Sequence, residues 1–324
     1  MTRIVEIAKH ADWQDLALAE LAVGKCVALP TETVYGLAAD ATNGLAVARI
    51  FEMKGRPRFN PLICHVGSLA MADHHGEFDA TALKLAEAFW PGPLTLVVPK
   101  RKGSDIHELA TAGLGTVGLR CPQGPAGQLI AAFGKPLAAP SANRSGKLSP
   151  TTAQHVAEAF ANTDLLILDG GPCPVGLEST IVKPSPDGIS LLRPGLITSE
   201  ELESATGLPV AIVTKGDAVE APGMLASHYA PRAALVLNAR RWPADAAVLT
   251  FGNPPNDAPP AAHVLNLSAN GDLREAAANL YGHLKQLDAT GITVIHVAPV
   301  PLDGIGAAIN DRLARAAAPR DPAS

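Results

Sequence analysis

Short apolar runs alternate with amphipathic stretches over the first 200 or so positions of the chain. Asp12 can cap a helix running to about Leu21, Gly24 can end it, and 26–29 then reads as a short buried strand. Asn43 can cap a second helix, with Leu45, Ile50 and Phe51 at helical spacing, and 62–66 is the next strand. Asp79 or Thr81 opens a further helix that closes at Trp90-Pro91-Gly92-Pro93, and a strand over 94–98 follows. More strands are expected at 117–120, 137–139, 165–168, 180–182 and 189–192, which makes this part an α/β unit with a largely buried sheet.

The pattern thins between about 211 and 232, where Lys215-Gly216-Asp217, Pro222-Gly223 and Pro231 mark an extended connection. Beyond it, strands are expected at 235–237, 247–249, 264–267 and 292–295, with helices at 272–287 and 305–316 and a Pro-rich surface loop over 254–260. The expected organisation is a first domain over 1–207, a linker over 208–232 and a smaller, separate α/β domain over 233–324.

Composition narrows the class. Apolar residues at 47% and charged residues at 18% describe a folded chain rather than a disordered one. A formal net charge of −5 counts against tight direct binding of tRNA or other nucleic acid by bulk electrostatics. Arg3, Glu6, Lys9 and Asp12 interrupt the N-terminus, and no run approaches the ~20 apolar residues of a membrane span, so no membrane association and a cytoplasmic location are expected. Cys26, Cys64, Cys121 and Cys173 lie far apart, without zinc-type spacing, and read as small buried hydrophobes.

The familiar phosphate-loop, dinucleotide and hydrolase-elbow motifs are absent, so a bound nucleotide would be held largely by side chains. The stretch KGRPRFNP sets Lys54, Arg56 and Arg58 in a loop stiffened by two prolines, with no acidic residue between Glu52 and Asp73. Such a cluster suits a polyphosphate, although Lys54 at a helix end can also be plain dipole compensation. Ser141 and Asn143, in PSANRSG, follow an apolar run ending at Ala139 and could both face a ligand, against the ordinary reading of a turn. PTETVYGL, with Thr31, Glu32 and Thr33, ends a strand in the same way. His65 within an apolar strand reads as a core histidine, and Glu178-Ser179-Thr180 as a strand start, until something links them.

What links them is their order. PTETVYGL, KGRPRFNPL with His65, PGPLTLV, VGLRCP, APSANRSG, GLESTIV and LLRPG together resemble the YrdC family over nearly all of residues 1–207. SHYAP, ending at Pro231, and GIGAAINDRL, ending at Leu313, resemble the linker and C-terminal domain of its two-domain members.

The resemblance implies a twisted open mixed sheet with helices, followed by a Rossmann-like domain. It implies L-threonylcarbamoyladenylate synthesis, in which L-threonine, bicarbonate and ATP give threonylcarbamoyl-AMP and pyrophosphate. Partner transferase proteins would then use the product to modify the tRNA adenosine beside the anticodon. Carried over position by position, ATP would contact Lys54, Arg56, Asn60, Thr116, Ser141, Asn143, Ser149 and Arg193, and Tyr229 would close over it. L-threonine would lie among Thr31 or Thr33, His65, Arg120, the neighbourhood of Ala139, and Ser179, with its carboxylate on Arg120. Lys54 and Arg56 would act in catalysis, with Mg²⁺ carried by ATP and no metal ligand from the protein. Many relatives carry basic residues where this chain has Leu225 to Ser227, which removes the ground for a phosphate contact from that side of the lid.

A carbamate oxygen attacking the α-phosphorus has no proton to lose, so the step calls for positioning and charge stabilisation. His65 is the imidazole placed to act as base in forming the carbamate. Two other readings compete: a non-catalytic RNA-binding module of the same fold, which the net charge disfavours, and a carbamoyl transferase like hydrogenase maturation factors, whose zinc-type cysteine pairs are missing here.

Overall fold

Eleven strands build the first sheet: β1 (Arg3–Glu6), β2 (Val27–Leu29), β3 (Gly36–Asp40), β4 (Ile63–His65), β5 (Leu94–Pro99), β6 (Thr116–Arg120), β7 (Leu137–Ala138), β8 (Leu166–Asp169), β9 (Thr180–Ser185), β10 (Gly188–Arg193) and β11 (Val210–Ile212). Their order is β1-β8-β2-β3-β7-β4-β6-β5-β9-β10-β11. The sheet is mixed: β4 and β6 run parallel, as do β5 and β9, while β3 and β9 are antiparallel to β2 and β10. These features come from a computed structural model that describes residues 1–213, 221–222, 228–253 and 259–319.

A second, four-stranded sheet comprises β12 (Ala234–Val236), β13 (Ala247–Thr250), β14 (His263–Asn266) and β15 (Val294–Val297), in the order β12-β15-β13-β14. All its pairings are parallel, with helix Leu273–Ala289 between β14 and β15 and helix Ile305–Ala317 after β15. That is the expected Rossmann-like architecture on a small scale.

Local chemistry explains the elements that carry the site. Asn43 accepts backbone N–H bonds from Leu45 and Ala46, which fixes the start of helix Gly44–Lys54, and Gly55 at φ +62° ends it. Lys54 is therefore the last helical residue, on the buried face that also holds Ala46, Val47, Ile50 and Phe51. Leu45, expected on the apolar face, is instead exposed, because the buried face begins one residue later. Asp79 rather than Thr81 caps its helix, accepting from Ala82 N–H, whereas Asp12 stands at an N-cap without a side-chain bond.

Several elements lie outside the sequence expectations. Helix Gly124–Phe133 has glycine at 124 and 127 and proline as its second residue; a Cβ on Gly127 would stand 2.7 Å from the Pro122 carbonyl oxygen. Its composition therefore reads as a turn although packing makes it a helix. Helix Ser199–Thr206 was findable, since Thr198 and Glu201 form a reciprocal capping box. The expectations at 215–217, at Gly223 through Ser227 and at 254–258 fall outside the described residues.

The two sheets share an apolar seam. One buried cluster combines Val34, Leu148, Leu177 and Tyr229 with Leu280, Tyr281, Leu284, Ile309 and Leu313 of the two C-terminal helices. Gly176 sits in it at φ +73°, and a Cβ there would lie 2.5 Å from the Ala277 carbonyl oxygen and 2.5 Å from Ala278 Cα. Both the left-handed backbone and the close approach demand glycine. Gly176→Ala is expected to destabilise the protein by about 2–4 kcal/mol, read as a lower Tm and faster hydrogen exchange in helix Leu273–Ala289. An unchanged Tm would mean that the seam is looser than described.

Candidate active site

Strand ends from the centre of the first sheet converge on one cleft. The register places His65 of β4 beside Arg120 of β6, at the same end of two parallel strands. The 30–35 hairpin closes one side, between Leu29 and Gly36, which pair across β2 and β3. Ser179 just precedes β9, and a register shift between Leu191 and Arg193 in β10 re-aims Arg193 into the cleft.

One wall is cationic. Arg56 is buried; its Nε donates to the Asn60 carbonyl at 3.2 Å and its Nη2 to the Pro61 carbonyl at 2.8 Å. Burial and the nearby Arg193 charge bring it down to about 10, partly offset by Tyr229. Arg193 donates through Nε to the Ser179 carbonyl and through Nη2 to Ser179 Oγ, both at 3.0 Å. Neither guanidinium is ion-paired with a carboxylate among the described residues. Lys54 stands behind this wall, its ammonium donating to the Ser141 and Asn143 carbonyls at 2.5 Å. Burial, with Arg56 and Arg144 nearby, holds it well below the usual lysine range.

The opposite wall suits a small zwitterion. Thr31 Oγ1 donates to the Val34 carbonyl at 2.7 Å and lies 2.8 Å from Thr33 Oγ1, which accepts from Arg120 Nη1 at 2.8 Å. Arg120 also reaches Glu32, with Nη2 to Oε1 at 2.8 Å, a buried ion pair whose geometry is not that of an aligned hydrogen bond. His65 is buried, its Nδ1 lacks a partner, and burial together with Arg120 pushes it down to about 3. Burial thus disfavours the charged ring, which weighs against the role of base expected for His65. As a neutral imidazole it can still accept a hydrogen bond.

The floor between the walls holds Glu178. Its carboxylate accepts from Ser149 Oγ, from Tyr281 Oη at 2.9 and 3.2 Å, and from Arg312 Nε at 2.8 Å. Burial alone would raise its pKa, but Arg312 and then Arg193 outweigh it and bring it down to about 2. Above it Tyr229, at φ +60°, places its ring 5.2 Å from the Arg312 guanidinium and 4.1 Å from the His228 ring. Counted together among the described residues, Lys54, Arg56, Arg120, Arg193 and Arg312 face Glu32, Glu178 and Asp311, five basic side chains against three carboxylates.

The cleft thus brings together Thr31, Thr33, His65, Arg120, Ala139 and Ser179, and with them Arg56, Ser141, Arg193 and Tyr229. Lys54, Asn60, Asn143, Ser149 and Thr116 do not line it. The Asn60 carbonyl holds Arg56, and Asn143 Nδ2 turns back to the Arg144 and Lys147 carbonyls. Ser149 is spent on Glu178, and Thr116 pairs with Pro99 at the start of β6. Arg58 is exposed, so the cationic loop divides its charges between cleft and solvent. In the sequence Glu178 reads as a strand start and Arg312 only as part of a motif, and nothing there singles out Tyr281. The GLEST and NDRL motifs contain two of them, but nothing local ties residues 134 positions apart.

His65 and His228, both pushed down to about 3 chiefly by burial, make stability depend on pH. Each folded pKa lies below the 6.5 of a free imidazole, so the contribution is complete above 6.5 and is lost as pH falls towards 3. Between pH 7 and pH 5 each ring should cost about 2 kcal/mol of unfolding free energy. In urea titrations His65→Asn and His228→Asn should each flatten that fall by about this amount, and profiles superimposable on the wild type would contradict the assignment.

Two family models match the chain, one described as "Telomere recombination" over residues 19–195 and one as "Threonylcarbamoyl-AMP synthase, C-terminal domain" over residues 197–318. A threonylcarbamoyl-AMP synthase of Pyrococcus abyssi is 39% identical over 340 residues, covering 98% of each chain. One from Bacillus subtilis is 38% identical over 322 residues, covering 94% of this chain and 92% of its own. The crystal structure of P. abyssi Sua5 complexed with L-threonine matches with a TM-score of 0.88 at 36% identity, over 98% of this chain and 97% of that one. With both halves matched in sequence and the whole in fold, the chain belongs to the two-domain YrdC and Sua5 family of threonylcarbamoyl-AMP synthases.

Proposed function

We propose that the cleft condenses L-threonine, bicarbonate and ATP into threonylcarbamoyl-AMP and pyrophosphate. The observation that carries this reading is the meeting, in one cleft, of a cationic wall (Arg56, Arg193) and an amino-acid-sized wall (Thr33, His65, Arg120). The threonine carboxylate would lie against Arg120, whose charge it would share with Glu32. The neutral His65 would take a hydrogen bond from the amine or hydroxyl rather than a proton.

Once the unprotonated amine has attacked the bicarbonate carbon and a C–O bond has broken to release water, the resulting carbamate's oxygen attacks the α-phosphorus. The new P–O bond forms as the bond to the β-phosphate oxygen breaks, and pyrophosphate leaves with the electron pair. Arg56 and Arg193 would stabilise the charge that develops there, and Lys54 would move toward the phosphates from its two carbonyls.

Mg²⁺ would be carried by the triphosphate. Among the described residues no three His, Cys, Asp or Glu side chains cluster as a metal site, and Glu178 is fully engaged by Ser149, Tyr281 and Arg312. Bound to the phosphates, the ion would further neutralise the leaving pyrophosphate. The proposed organisation is a catalytic domain over 1–207, a linker over 208–232 whose Tyr229 covers the nucleotide, and a bracing domain over 233–324. The product would pass to threonylcarbamoyl transferase proteins acting on tRNA in the cytoplasm.

Purified protein with Mg-ATP and bicarbonate should release pyrophosphate with L-threonine and far less with L-serine, glycine or no amino acid. Arg56→Ala should lower the rate by about 10²-fold or more. Release that ignores the amino acid, or survives Arg56→Ala, would remove the reading.

A further inference from the structure

We infer that Arg312 of the C-terminal helix Ile305–Ala317 is a positioning residue for the phosphate-binding wall: by neutralising Glu178 it leaves Arg193 and Lys54 available to phosphate, so that ATP affinity and docking of the C-terminal sheet are linked. The inference rests on the synthase reading of the cleft and adds to it a residue from the other sheet.

The contacts on both sides are specific. Arg312 is completely buried, 0% exposed, although arginine, also present on this helix as the half-buried Arg315, is among the most polar side chains. Its Nε meets Glu178 Oε2 at 2.8 Å, its Nη2 donates to the Pro194 carbonyl at 3.0 Å, and its Nη1 meets Asp311 Oδ2 at 2.6 Å. Pro194 follows Arg193 directly, and Glu178 precedes Ser179, whose carbonyl and hydroxyl hold Arg193. The C-terminal helix thus grips the residue after Arg193 and the residue before the serine that holds Arg193. Tyr281, from the other C-terminal helix, adds its hydroxyl to the same carboxylate.

Electrostatics then sets the consequence. Glu178 lines the cleft and stands ionised, with Arg193 the second cation felt by its charge after Arg312. Its negative charge is also felt at Lys54. A carboxylate buried among cations pairs with whichever remains. If Arg312 is removed, Glu178 draws on Arg193 and Lys54, the groups proposed for the triphosphate, and the positive field in the cleft falls. Linkage is reciprocal, so ATP in the cleft must favour the docked C-terminal helices by the same factor that docking favours ATP.

The full-length protein tests this through binding of α,β-methylene ATP, which cannot lose pyrophosphate, by calorimetry, and through separate KM values for ATP and L-threonine. Arg312→Met should weaken nucleotide binding and raise the ATP KM by about 10-fold or more, with a much smaller change for threonine. Because that variant leaves a buried carboxylate without its partner, the Glu178→Gln/Arg312→Met double variant is the control for folding. With the carboxylate charge gone, it should return nucleotide affinity to within about threefold of the wild type.

In the wild type, but not in the double variant, the analogue should slow hydrogen exchange in helix 305–317. Three results overturn the inference: unchanged affinity in Arg312→Met, a double variant no better than the single one, or equal losses for ATP and threonine. Each of these leaves the synthase reading standing, provided the wild type turns over. A wild type that binds no nucleotide overturns both.

Discussion

The buried pair between Glu178 and Arg312 is the interaction on which the rest of the structure depends. Taking both ions out of water costs several kcal/mol each, a cost that is met only where every polar atom finds a partner. Here the carboxylate is met by Ser149, Tyr281 and Arg312, and the guanidinium also by the Pro194 carbonyl and Asp311. Those partners come from both sheets, so the two halves can satisfy this site only when docked. The apolar seam around Leu177, Tyr229, Leu280 and Leu313 excludes the water that would otherwise screen it.

The cleft above the pair is built for charge placement rather than for proton transfer. His65 and His228, the imidazoles lining it, are held neutral by burial, and Glu178 is held ionised by its cations. Arg56 and Arg193 are oriented by backbone carbonyls and by Ser179, so they are positioned before any phosphate arrives. Preorganised cations of this kind suit a displacement at phosphorus whose nucleophile has no proton to give up.

Much of this was legible in the chain itself. Asn43 and Asp79 announce helices that they do cap, and the short apolar runs mark most of the central strands. The cationic loop was legible as a cluster but not in its division: Gly55 in the left-handed region ends the helix so that Lys54 and Arg56 turn inward and Arg58 outward. Helix Gly124–Phe133 was hidden because glycine and proline at its start imitate a turn. Glu178 and Arg312 were each visible in a motif, yet their meeting is a property of how two sheets dock, which no local pattern encodes. The weak basicity of His65 likewise follows from complete burial beside Arg120, which the sequence could not report.

The central claim is that one cleft holds both the triphosphate and the amino acid. A crystal structure of the protein with α,β-methylene ATP, Mg²⁺ and L-threonine tests it most directly. The account predicts phosphates against Arg56 and Arg193 and the amino acid between Thr33, His65 and Arg120, with the Glu178–Arg312 pair intact beneath them. Nucleotide bound at the C-terminal sheet, or phosphates that leave both arginines untouched, would contradict it.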